Sequence, residues 1–145
     1  MSILSDEIDN DPEGKGYSAL IENEPGRVVE LLNAKTESKL GLLDRASLAM
    51  WAVANGMLGK FEDEAVDKTS PLRDSALAIL YVLKGATSGI DFSLQANLDG
   101  FGAWISLGKM TEEQKNAALA LSMQPASRAE VLGLPYVTEE MLRNR

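Results

Sequence analysis

Histidine and cysteine are both absent from this 145-residue chain. Without histidine, the side chain that most often moves protons near neutral pH is missing. Without cysteine there is no thiol nucleophile, no disulfide and no thiolate zinc site. Catalysis would fall to carboxylates, serines, lysines or tyrosines alone, so the expectation is a protein that binds, scaffolds or assembles rather than an enzyme, with no cofactor and no metal. Basic residues are scarce: 14 stand against 22 acids, a net charge of −8. That balance argues against nucleic-acid binding, which uses a basic face or stripe. Long hydrophobic runs are missing as well. Apolar stretches are broken by Arg73, Asp74, Lys84 or glycines well short of a bilayer span, and Met1 to Asp11 has neither the basic nor the apolar part of a secretion signal. The expectation is therefore no membrane partner, and synthesis in the cytoplasm.

What is present is apolar material, 45% of the chain, enough to build a core. Asn23 before Glu24-Pro25 predicts a short helix carrying Val28, Val29, Leu31 and Leu32. Asp44 caps the next, where Leu48, Met50, Trp51 and Val53 repeat at helical spacing; Asn55-Gly56 then predicts a break, or two helices in tandem, before Met57, Leu58, Phe61 and Val66. Ser70-Pro71 and Lys84-Gly85 bracket a central helix in which Leu77, Leu80, Tyr81 and Leu83 are expected to be buried. Thr111-Glu112-Glu113-Gln114 matches a reciprocal capping box opening a further helix, closed by Gln124-Pro125. Ser127 and Thr138 open two short ones near the end. From Ala86 to Met110, glycines at 89, 100, 102 and 108 punctuate two apolar pieces, leaving both a helical pair and a short strand pair around 90–107 open. The reading is an all-α fold: one compact domain of about six or seven helices over residues 17–145, preceded by a short acidic arm, residues 1–16.

Several patterns imitate chemistry. Asp9, Asp11 and Glu13 before Gly14 resemble the first half of a calcium loop, but Leu20 stands where the bidentate acid belongs and Pro12 interrupts. Gly100-Phe101-Gly102 and Gly108-Lys109 lack the spacing of a phosphate loop. Glu62, Asp63, Glu64 and Asp67 supply a possible hydrolase pair, yet they crowd a polar helix end with Lys60 and Lys68 and read as a solvated face. Trp51, Phe61, Tyr81, Phe92, Phe101 and Trp104 sit among aliphatic residues, as core or interface anchors do.

Two landmarks point further. Asp11-Pro12-Glu13-Gly14-Lys15-Gly16-Tyr17, followed by Leu32-Asn33, and the ending Ser127-Arg128-Ala129-Glu130-Val131-Leu132-Gly133-Leu134-Pro135-Tyr136-Val137-Thr138 resemble a group of small proteins of tailed bacteriophages and prophages, encoded among head and tail structural genes. Where members of that group carry an arginine-rich stretch, this chain has Lys35-Thr36-Glu37-Ser38-Lys39. The resemblance implies a virion structural protein of the tail or head-to-tail connection, assembling with itself and other virion proteins. A phage assembly chaperone or host-binding regulator absent from the particle is the alternative, and a peptidoglycan hydrolase a third. No catalytic residue is implied. The expected interface residues lie at the ends: Ile3, Leu4 and Ile8 on one side of the arm, Asp11 and Tyr17 of the first landmark, and Arg128, Arg143 and Arg145, whose charge complements the acidic arm of a neighbouring copy.

Overall fold

The computed structural model describes residues 2–145. Among these residues it contains ten helices and four short strands: α1 (Ile3–Asn10), α2 (Tyr17–Leu20), α3 (Pro25–Asn33), β1 (Glu37–Leu40), β2 (Leu42–Asp44), α4 (Arg45–Ala54), α5 (Met57–Val66), α6 (Arg73–Leu83), β3 (Gly89–Asp91), α7 (Gln95–Ser106), α8 (Glu112–Leu121), β4 (Met123–Ala126), α9 (Arg128–Val131) and α10 (Glu139–Arg143). The fold is mostly helical, as expected, with more and shorter helices than expected. The strands form two two-stranded sheets, β1 with β4 and β2 with β3. Where one domain was expected, the chain forms two compact units, Met1–Lys39 with Pro125–Arg145, and Leu40–Gln124.

The first unit joins the two ends of the sequence around Leu4, Ile8, Tyr17, Val28, Leu32, Ala129, Val137 and Leu142, all buried. Residues 1–16 are thus not a separate arm. Ser2 caps α1 by accepting from the Ser5 amide, and the inward stripe of that helix covers the core of its own unit. An amphipathic helix beside an apolar stripe on α3 gains more by covering it than by staying in water. Ser127 and Thr138 cap α9 and α10 through the amides of Glu130 and Met141, as their sequences predict.

The second unit is built on an aromatic cluster. Trp51 lies 5.6 Å from Phe101, Phe61 meets Trp104 edge-on at 5.1 Å, and Phe92 meets Phe101 edge-on at 4.9 Å. Both indole N–H groups are satisfied inside the unit, Trp51 donating to the Gln114 carbonyl at 2.8 Å and Trp104 to the Ser75 hydroxyl at 2.9 Å. Gly56, at φ +64, divides α4 from α5 and resolves the expected break into two helices. The strand β3 runs antiparallel to β2 with Ile90 opposite Leu43. Gly89 is required there, since a Cβ would fall 2.1 Å from the Leu43 carbonyl oxygen.

The helix α6 ends at Gly85 (φ +93), where the Ala86 amide donates to Tyr81 and the Gly85 amide to Val82. Its buried stripe is Leu72, Ala76, Ile79 and Val82; Leu77, Leu80 and Leu83 are only partly covered, and Tyr81 is 60% exposed. The expectation that Leu77, Leu80, Tyr81 and Leu83 are buried is corrected here: the buried stripe runs through the small Ala76, and the bulky Tyr81 falls outside it. One helix, α7, runs through both Gly100 and Gly102, with Phe101 and Trp104 as its buried anchors. Those two contacts outweigh the roughly 1 kcal/mol that each mid-helix glycine costs.

Candidate interaction site

The residues that carry the two sequence landmarks meet in the first unit, around Arg128. Three local devices bring them there. The helix α1 places Glu7 on the same inward face as Leu4 and Ile8, so an acid enters an apolar stripe. The following turn is organised by Asp11, whose backbone is left-handed (φ 40) and whose carboxylate accepts from the amides of Lys15 at 2.7 Å and Gly16 at 2.8 Å. This leaves Glu13 exposed at the rim of the site. From the other end, the Ser127 cap starts α9 and fixes Arg128 as its first residue.

The Arg128 guanidinium binds Glu7 two-pronged, Nη2 to Oε1 at 2.8 Å and Nε to Oε2 at 3.1 Å, with Glu13 at 3.4 Å and Glu37 of β1 at 3.7 Å. Glu7 is buried. Lys15 approaches Glu13 at 3.7 Å. Hydrogen bonding to Glu7 and its charge hold Arg128 protonated more firmly than usual, against the burial that opposes it. Burial, then the hydrogen bond and charge of Glu13, push the Glu37 carboxyl above its ordinary value; the same hydrogen bond, with Arg128 and Lys15, holds Glu13 below its own. The two carboxyls are thus pushed in opposite directions, Glu37 up and Glu13 down, and Glu37 Oε2 is buried with no hydrogen-bond partner among the described residues. Tyr17 is fully buried beside these charges, its phenol pushed well up by burial and by Glu7, and its hydroxyl has no hydrogen-bond partner among the described residues. Although burial acts to raise it, backbone donors hold the Asp11 carboxyl below the aspartate range.

Chemically this is a lock. Glu7 takes the hydrogen bonds of the guanidinium's Nε and Nη2, and Glu13 and Glu37 stand at ion-pair distance from it, so its charge is answered within the unit. Among the described residues no group of acidic side chains is arranged to hold a metal ion, and no helix is long and apolar enough to cross a membrane.

The expected interface residues fall into two sets. Leu4, Ile8 and Tyr17 lie in the core of the unit, and Asp11 and Arg128 are occupied by contacts within it. In the folded unit the contacts of these five residues lie within the chain. Ile3 remains 54% exposed, and Arg143 and Arg145 are exposed at the end of α10. Of the acids of the first segment, Glu7 and Glu13 meet Arg128. Of the suggested carboxylate pair, Glu62 and Asp63 are exposed while Glu64 is buried and paired with Lys109 at 3.4 Å.

A surface that the sequence reading missed lies in the second unit. The helix α4 buries Leu48, Trp51 and Ala52 on one side and presents Met50, 74% exposed, and Val53, 69% exposed, on the other, flanked by the exposed Ala46 and Ala54. No ionisable residue occurs from Ala46 to Gly59. That uncharged run was the available signal. Nearby, α6, β3 and α7 enclose a mostly apolar cleft of about 650 Å³ lined by Ile79, Val82, Ile90, Leu94 and Phe101, with Asp91 its one carboxylate. Compared with protein-family models, curated proteins and solved structures, the chain matches none.

Proposed function

We propose that this chain is a virion structural protein of a tailed bacteriophage, acting in the tail or head-to-tail connection through contacts with copies of itself and with other virion proteins. The observation that carries the reading is where the landmark residues go. Asp11, Glu13, Gly16, Tyr17, Asn33, Arg128 and Val137 all serve the shape of one unit, as turn former, core residue or internal partner. Residues shared with a group of assembly proteins for the sake of shape do this; residues shared for a reaction converge on an open cleft with reactive geometry. The uncharged outer face of α4 adds support, because a helix apolar on both faces is ordinarily covered on both.

Deleting the gene from its phage and complementing it in trans tests the reading. The expected result is lysis without infectious particles, with incomplete tails or unjoined heads in electron micrographs. Particles of normal form and infectivity from the deletion would overturn it.

A further inference from the structure

We propose that copies of this chain join head to tail through the second unit, the outer face of α4 on one copy seating in the cleft between α6, β3 and α7 of the next. The inference rests on the assembly reading only in taking these surfaces as contacts; its geometry stands on its own.

Charge selects the occupant. Every copy carries a net charge of −8, so most faces bring acids against acids when two copies meet. The ridge has no ionisable group from Ala46 to Gly59, and the cleft has one carboxylate, Asp91, whose Oδ1 already accepts from the Ser93 amide and hydroxyl. The two surfaces meet with almost no like-charge repulsion.

Shape selects the mode. The ridge is convex, with the flexible, polarisable Met50 and the branched Val53 projecting between Ala46 and Ala54. The cleft is concave and apolar, with about 650 Å³ of space, ample for two such side chains. They are formed by different residues of the same unit. Pairing α4 with α4 about a two-fold axis would cover the ridge and leave the cleft open; ridge into cleft covers both on every copy. Such a contact is heterologous, and repeated it closes a ring or extends a filament.

The test uses the full-length chain and two exposed positions, Met50→Glu on the ridge and Ala78→Glu at the cleft wall. Sedimentation velocity over a concentration series is expected to show wild-type multimers growing with concentration and each variant alone as a monomer with unchanged circular dichroism. Mixing the two variants one to one is expected to give a dimer and no larger species, since the mixture contains one intact ridge facing one intact cleft. Val53→Lys and Leu94→Lys repeat the design should either glutamate disturb folding. A wild-type chain that stays monomeric overturns the proposal and leaves these surfaces to a different protein; the virion reading is then still decided on particles. Folded variants that keep the wild-type multimer overturn it too. Variants that are each monomeric but fail to pair when mixed overturn it as well, and a monomeric Met50→Glu beside an Ala78→Glu that still self-associates would replace it with a symmetric α4–α4 contact.

Discussion

Asn33 and Val137, 104 positions apart, exchange two hydrogen bonds: the Asn33 amide nitrogen donates to the Val137 carbonyl at 2.8 Å, and its oxygen accepts from the Val137 amide at 2.9 Å. Val137 is fully buried, so no water replaces a lost partner easily. Asn33→Ala leaves both backbone groups unpaired and should cost about 2–4 kcal/mol in urea unfolding. Asn33→Asp keeps the acceptor and should cost less than Asn33→Ala. Equal stability of Asn33→Ala and wild type would show that the join between the landmarks is not held here.

Arg128→Ala strands Glu7 in the core without its partner. A loss on the order of 3 kcal/mol is expected, since removing one side of a buried pair leaves the other charge uncompensated. Adding Glu7→Gln to Arg128→Ala should recover part of that loss. Chemical denaturation of the two variants, against a double-mutant cycle, checks both statements.

The opposed shifts of Glu37 and Glu13 make stability respond to pH in a defined direction. Glu37 binds its proton more tightly when folded, so its contribution is present below its ordinary value of 4.5 and is lost as pH rises through the raised folded value. Glu13, held low, works oppositely, contributing above its ordinary value of 4.5 and losing that as pH falls through its lowered folded value. Glu37→Gln keeps a donor for Glu13 without the charge. Its melting temperature relative to wild type should climb as pH rises from about 4.5 through the raised folded value of Glu37. A flat or falling difference would contradict a Glu37 carboxyl held above its ordinary value.

Gly102 sits in the middle of α7, and a Cβ there would meet nothing within 4 Å. Gly102→Ala should therefore stabilise the chain by about 0.5–1 kcal/mol in thermal unfolding, by removing backbone freedom from the unfolded state. Destabilisation would mean that the helix needs flexibility at that point.

Elements whose ends are made by local chemistry were legible from the residues. The capping box at Thr111 and Gln114, the Asp44 cap and the glycine stop at Gly85 all lie where their spacing puts them. Those decided by distant partners were not. The strands β1 and β4 are four residues each and far apart in sequence, with no hairpin turn to announce them. Continuity of α7 through Gly100 and Gly102 depends on Phe101 and Trp104 finding the aromatic cluster, and the exposure of Tyr81 on Ala76 being the residue that packs. At the candidate site Arg128 was legible as important, but its partners were sought on the acidic arm of another copy. Glu7 on the same face as Leu4 and Ile8 was the sign that an internal cation would meet it.

The central claim is the proposed virion role, and quantitative mass spectrometry of virus particles purified from cells that express this chain tests it most directly. The account predicts the chain at several copies per particle, in fixed ratio to the tail or connector proteins and retained through density-gradient purification. Its presence in the infected-cell lysate together with its absence from infectious particles would contradict a virion structural role.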